Sequence, residues 1–232
     1  MNKKIEILLI LFISSIALIS FGNTSNDNTY FHPVAEIHVD ELPESIMDSK
    51  YADSICKLPL VFRGAAKYWE SMTWTPEFLV ERGFKGIEEV MKSSDNFRKS
   101  SFHSKILEKD MHYQGTSINS IYILAGGAYR MNYFHAHDTA ILSEFYGKRM
   151  VFLAEPRWKG NMDKLAQESD RIAEIASTSE QDPLINMTND DYSGLQQVIL
   201  NPGDILYIPS GWYHKVHYLT PCIGATQLIY DN

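Results

Sequence analysis

From residue 118 onward the apolar side chains fall in short runs rich in Ile, Val, Tyr and Phe, cut by Gly and Pro. That is the punctuation of β-strands. The runs predict strands at 118–124, 130–137, 142–146, 149–153, 197–200, 205–208, 213–219 and 224–230. Eight short strands in 116–232 suggest two packed sheets in a jelly-roll barrel. Between the fourth and fifth runs, 159–192 is polar but carries a helical apolar spacing at Leu165, Ile172 and Ile175, which predicts an insertion interrupting the barrel. The part before it, 30–115, is mixed. Leu60-Val61-Phe62-Arg63 is strand-like and ends at Gly64, and Thr75-Pro76-Glu77 opens a helix with a capping residue and a first-turn proline, stopped by Gly83. No repeat or low-complexity linker follows Thr29, so the remainder reads as one domain, mainly β with N-terminal α/β elements.

The first 22 residues have a different texture. After Met-Asn-Lys-Lys comes an almost unbroken apolar run, 7–21, interrupted only by serines. Fifteen residues rise roughly 22 Å as a helix, short of the roughly 30 Å hydrocarbon core. A cleaved signal peptide over 1–22 is the expectation, with Ser20 and Gly22 before the cut and a polar segment, 23–29, as the new terminus. The alternative is an uncleaved signal anchor, the one route to a membrane that this chain offers. Either places the rest in the secretory lumen or outside the cell. Two acceptor triplets for N-glycosylation, at Asn23 and Asn186, agree with that route. The chain closes on Tyr-Asp-Asn, without a retrieval signal of the Lys-Asp-Glu-Leu type, which leaves retention against secretion open.

Charge and cysteine content narrow the partners. Twenty-one Lys and Arg against 29 Asp and Glu give a net charge of -8 over 232 residues, with no basic run to follow a phosphate backbone. Nucleic acid is not an expected partner. Cys56 and Cys222 are too few for a disulfide framework and lack the spacing of a cysteine zinc site.

The candidate chemistry lies in histidines. On a strand, His135 and His137 of Phe134-His-Ala-His-Asp138 point to one face, and Asp138 to the other unless the strand has ended. Downstream, Gly203-Asp204 starts a strand, Pro209-Ser-Gly211 ends it and His214 opens the next. An antiparallel barrel can bring His214 to the histidine pair, giving three imidazoles around one ion with coordination positions left open. His32, His38, His103, His112 and His217 are assigned to surface or satisfied polar positions.

The spacing of that downstream segment, Gly, five residues, Pro, one residue, Gly, two residues, His, resembles the second cupin motif. The stretch from Phe134 to Pro156 resembles the metal strand of cupin-like JmjC proteins, with its Gly147-Lys148-Arg149 turn and Leu-x-x-Pro end. Pro202 to Leu219 is similar to their Pro-Gly-Asp signature ending in Trp-x-His. Leu58-Pro-Leu-Val-Phe-Arg-Gly64 and Trp74-Thr-Pro-Glu-Phe-Leu79 are similar to their opening elements. The resemblance covers roughly residues 55 to 230. It implies a double-stranded β-helix fold and an iron(II), 2-oxoglutarate-dependent oxygenase in which two histidines and a carboxylate hold iron. The family's carboxylate position is occupied here by His137; Asp138, one residue on, is the candidate substitute if a bulge turns it inward. The cation for 2-oxoglutarate is implied at Arg149, where the family usually has lysine, and Tyr122 is a candidate second contact; two other polar positions of the family are Ile141 and Tyr218.

Three functions follow. The first is an iron(II)/2-oxoglutarate protein hydroxylase of the secretory lumen. The second is a catalytically silent JmjC-like protein that acts through interaction or regulation. The third is a three-histidine metal cupin that does not use 2-oxoglutarate.

Overall fold

Strands β6 (Thr139–Tyr146) and β7 (Arg149–Ala154) are buried along nearly their whole length on both faces. Such strands need cover on each side of the sheet they belong to. The cover comes from a second sheet on one face and from helices and turns on the other. The computed structural model describes residues 31–39, 57–82, 97–100, 121–127, 133–158, 161–178 and 195–229. The expected signal peptide, Asn23, Asn186 and Cys56 lie outside them.

The remaining strands are β1 (Phe31–Pro33), β2 (Ala35–His38), β3 (Leu60–Arg63), β4 (Phe97–Ser100), β5 (Ile121–Gly126), β8 (Leu195–Leu200), β9 (Ile205–Ile208), β10 (Tyr213–Tyr218) and β11 (Cys222–Ile229). They form a four-stranded sheet in the order β1-β8-β7-β10 and a seven-stranded sheet in the order β2-β3-β9-β6-β11-β5-β4. From β6 onward the chain passes back and forth between the two sheets, and nearly every pairing is antiparallel. The fold is therefore mainly β, a jelly-roll sandwich, as the strand pattern implied.

Alternation along the strands sorts the core into three layers. Between the sheets, Ala140, Leu142, Leu206 and Ile208 of the large sheet meet Val151, Leu153, Val198, Leu200 and Val216 of the small one. Each fully buried aliphatic side chain contributes about 1.5–3 kcal/mol relative to exposure. The outer face of the large sheet, with Ile141, Phe145, Ile205, Tyr207 and Ile223, is covered by the chain from Ala65 to Leu79. There helix α1 (Pro76–Glu81) begins as expected, with the Thr75 hydroxyl accepting from the Phe78 amide at 3.2 Å. The outer face of the small sheet, with Met150, Phe152 and Leu195, packs on helix α2 (Met162–Thr178) through Leu165. Lys215 reaches from β10 to the Asp170 carboxylate of that helix at 2.5 Å and to the Ala166 carbonyl at 3.2 Å. The side chains of Ile172 and Ile175 lie outside the description. Among the described residues no helix is long and apolar enough to cross a membrane.

One expected strand is not seen in its described part. Over residues 133–137 of the run 130–137, the ladder is reduced to an isolated bridge between His135 and His214. Local bonds replace it: the Nδ1 atoms of His135 and His137 bind the carbonyls of Tyr133 and Asp138. These draw each ring against its own backbone.

Candidate metal centre

Three backbone contacts bring the two histidine segments together although nearly eighty positions separate them along the chain. The amide of His135 donates to the carbonyl of His214 at 3.1 Å, and the amide of His214 returns the bond at 2.9 Å. The Gly211 amide donates to the His137 carbonyl at 2.9 Å. Gly211 holds a φ of 78°, a left-handed conformation that a side chain disfavours, and this lets the chain turn after Pro209 and enter β10 at the right register. Trp212 anchors the same turn through its indole N–H, which donates to the Lys57 carbonyl at 3.1 Å.

The rings of His135, His137 and His214 then face one another. Their centroids are 5.4 Å (His135–His137), 4.2 Å (His135–His214) and 4.7 Å (His137–His214) apart, and their candidate ligand nitrogens all lie within 4.8 Å of one another. A shared ion at about 2.1 Å from each nitrogen needs separations of roughly 3.0–3.5 Å, so the widest pair closes by about 1 Å on binding. The tautomers favour it. Each Nδ1 faces a backbone carbonyl: Tyr133 for His135 at 2.8 Å, Asp138 for His137 at 2.7 Å and Trp212 for His214 at 3.2 Å. A carbonyl only accepts, so Nδ1 carries the proton and the Nε2 lone pair is left for a ligand role. Burial, followed by the two neighbouring imidazoles, lowers the His214 pKa to about 3, which keeps that ring neutral at any ordinary pH. His214 is buried and His135 exposed, so the cluster sits at the barrel mouth, with the strongly exposed Tyr133 on its rim. These three imidazoles fit a divalent transition metal: neutral nitrogen donors suit iron, zinc and copper, and three ligands leave positions open.

Asp138 does not join them. The cluster of possible ligands among the described residues contains only the three histidines, and Asp138 contributes its backbone carbonyl, the acceptor that orients His137. Asp138 lies in the bend just before β6, outside the histidine cluster. His217 lies on the opposite face of β10 from His214, as three residues along a strand require. It is buried against Phe152 and beside Asp170 and Lys215, and burial followed by the Lys215 charge lowers its pKa to about 3.

Arg149 is on the inner face of β7, in register with Tyr218 and four positions from Leu153, which pairs with His214. It therefore faces the sandwich interior about 13 Å along the strand from the histidines. Its guanidinium is completely buried and already paired: Nε binds the Glu144 carboxylate and Nη2 donates to the Ser143 carbonyl at 3.0 Å. The Tyr218 ring lies 5.7 Å from the guanidinium carbon. Space for Nη2 comes from Gly224, where a Cβ would stand 1.7 Å from it. Of the other positions that the resemblance implied, Ile141 points to the outer core. Tyr122 pairs with Thr226 in β5, and its side chain lies outside the description. With Glu144 ionised, the residues present do not fit 2-oxoglutarate, because the cation that would take its distal carboxylate already has one.

The residues missed by sequence reasoning are Glu144 and the three carbonyl acceptors. Glu144 had a signal: it is the one acid inside the apolar run 139–146, and it is completely buried. Asp204, in contrast, is structural; it accepts from the Asn201 amide at 2.9 Å, the Gly64 amide at 3.1 Å and the Arg63 guanidinium at 2.5 Å, tying the turn before β9 to β3.

Comparison with known families matches residues 101–231 to the cupin-like domain. No curated protein matches the chain. A two-sheet sandwich with its histidine cluster at the mouth and a family match over more than half the sequence lead to one assignment: the chain belongs to the cupin-like, JmjC-type family.

Proposed function

We propose that the protein is a metal-dependent cupin-like protein of the secretory lumen that holds one divalent transition metal, iron(II) foremost, through His135, His137 and His214, and acts on a protein partner. The observation that carries this reading is that all three Nδ1 atoms are committed to carbonyls, which leaves three Nε2 atoms for one ion. Rings that were relics would have no need of a common tautomer. An ion bound there supplies Lewis acidity or redox chemistry at the barrel mouth. The chain's own residues do the rest. The carbonyls of Tyr133, Asp138 and Trp212 fix the rings; the three neutral ligands leave the ion's charge uncompensated, which favours an anionic ligand from outside. Exposed Tyr133 offers an aromatic surface to a partner arriving at the rim. The luminal setting rests on the apolar leader and the two glycosylation triplets. Within the family the Phe-His-x-His run, the Ser143–Gly147 run and the leader together are similar to jumonji domain-containing protein 8, a luminal protein.

A second reading, 2-oxoglutarate-dependent protein hydroxylation, is favoured by one observation: Arg149 lies on the inner face of the sandwich, and its Nη1 has no hydrogen-bond partner. The test of the first reading is titration of the purified mature chain with iron(II) or manganese(II). About one metal per chain is expected. A folded protein that takes up none refutes the metal centre and leaves the interaction role.

A further inference from the structure

The inner end of the sandwich holds a buried charge cluster that the metal centre does not use. Glu144 of β6 and Arg149 of β7 are both fully buried, and the charged and titratable groups acting on the Glu144 carboxylate are Arg149, the Cys222 thiol of β11, Asp204 before β9 and Tyr218 of β10. Glu144 Oε1, Arg149 Nη1 and Ser143 Oγ have no hydrogen-bond partner. Buried polar atoms normally find one, so the cluster is incompletely satisfied as it stands. The packing there is tight: a Cβ on Gly224 would lie 2.3 Å from the Ser143 carbonyl oxygen and 1.7 Å from Arg149 Nη2. Arg149 is held by its bonds to the Glu144 carboxylate and the Ser143 carbonyl, so a carboxylate from outside meets it at the Nη1 edge.

We propose that Glu144 is a resident carboxylate that closes this end of the barrel to ligand carboxylates, so that a dicarboxylate such as 2-oxoglutarate is taken up only when Glu144 is protonated or replaced. The inference rests on the second reading, in which Arg149 receives a co-substrate. An ionised Glu144 beside an incoming carboxylate sets two like charges on one guanidinium in a medium of low polarity, which is strongly unfavourable. A neutral Glu144 removes that repulsion while keeping an acceptor for the Arg149 Nε–H. Burial pushes the Glu144 carboxyl up, against the opposing pull of Arg149, to about 7, so the proton is exchanged near neutral pH. No covalent step is involved; one proton comes from solution.

The test is calorimetric titration of the manganese-loaded full chain with 2-oxoglutarate at about pH 8 and about pH 6, for the wild type and Glu144→Gln. The probe's own carboxyls are ionised at both values. Wild-type binding is expected to be about tenfold tighter at the lower pH, following the protonated fraction of Glu144. Glu144→Gln is expected to bind at both pH values with no such ratio, and Arg149→Gln at neither. Any pH dependence of the metal centre is shared by both proteins, so the comparison between them isolates Glu144. If the wild type binds as Glu144→Gln does at both pH values, the gate is wrong and the co-substrate reading stands. If neither binds while metal content is retained, both are wrong. Should Glu144→Gln fail to fold, the wild-type pair decides: equal affinity at both pH values overturns the gate.

Discussion

Replacing His214 by Ala should cost metal affinity in a protein that still folds, and replacing His217 by Ala should cost stability and leave metal affinity intact. The backbone bonds between His135 and His214 survive either change, because they use main-chain atoms. Structural zinc sites with four ligands bind with about 10–16 kcal/mol, or roughly 3–4 kcal/mol per ligand. Loss of one imidazole of three therefore weakens binding by about 100- to 1000-fold. In folding terms His214→Ala removes the Nδ1 hydrogen bond to the Trp212 carbonyl, worth about 1 kcal/mol, and truncates a buried ring at a cost of about 2 kcal/mol more. His217 makes no approach to the cluster; its ring is 2% exposed and stands edge-on to Phe152 at 5.4 Å. Truncating it empties a packed site at a cost of about 2–3 kcal/mol, with metal affinity unchanged within about twofold. Manganese titration followed by thermal unfolding of the metal-free proteins measures both quantities. Equal loss of metal from the two folded variants would show that the alternation of β10 does not decide which ring faces the ion.

Asp138→Ala should retain full metal stoichiometry, since the carbonyl that orients His137 belongs to the backbone; metal loss comparable to that of His214→Ala would return the carboxylate to the ligand set. Acid stability tests the two buried groups with opposite shifts. His217, lowered to about 3, binds fewer protons folded than unfolded, so its contribution is present above about pH 6.5 and is lost as pH falls toward 3. Glu144, raised to about 7, binds more protons folded, so its contribution is present below its ordinary value of 4.5 and is lost as pH rises toward 7. At up to about 1.4 kcal/mol per pH unit each, the two offset one another between about 4.5 and 6.5. A His217→Leu variant, lacking one of them, should gain up to about 2 kcal/mol over the wild type between pH 7 and pH 5 in denaturant unfolding; parallel curves would contradict the burial assignment. Gly224→Ala should destabilise by about 3 kcal/mol, at the upper end of overpacking, because the new methyl collides with the Ser143 carbonyl as well as with Arg149. A midpoint within a few degrees of the wild type would exclude that packing.

Much of the barrel was legible in the chain because the side-chain period of a strand is two and each buried layer imposes it locally. β9 at Ile205–Ile208 coincides with its predicted run, and β7 and β10 differ from theirs by one residue. The same parity placed His214 inward and His217 outward. His135 and His137 do converge with His214, for a reason only half foreseen. Strand alternation was expected to align them, whereas a single bridge to His214 and two ring-to-carbonyl bonds do so. Spacing along a chain says which side chains can share a face, not which carbonyls will hold their rings.

Tertiary structure alone decided the partner of Arg149 and the place of Asp138 outside the histidine cluster. Glu144 and Arg149 are five positions apart across the turn between β6 and β7, a separation that no strand or helix period favours; they meet because both point between the sheets. A buried charge must find its counter-charge wherever packing puts it. Hydrophobic pattern is encoded residue by residue along the chain, but electrostatic pairing belongs to the assembled interior and becomes readable only when the two sheets have closed.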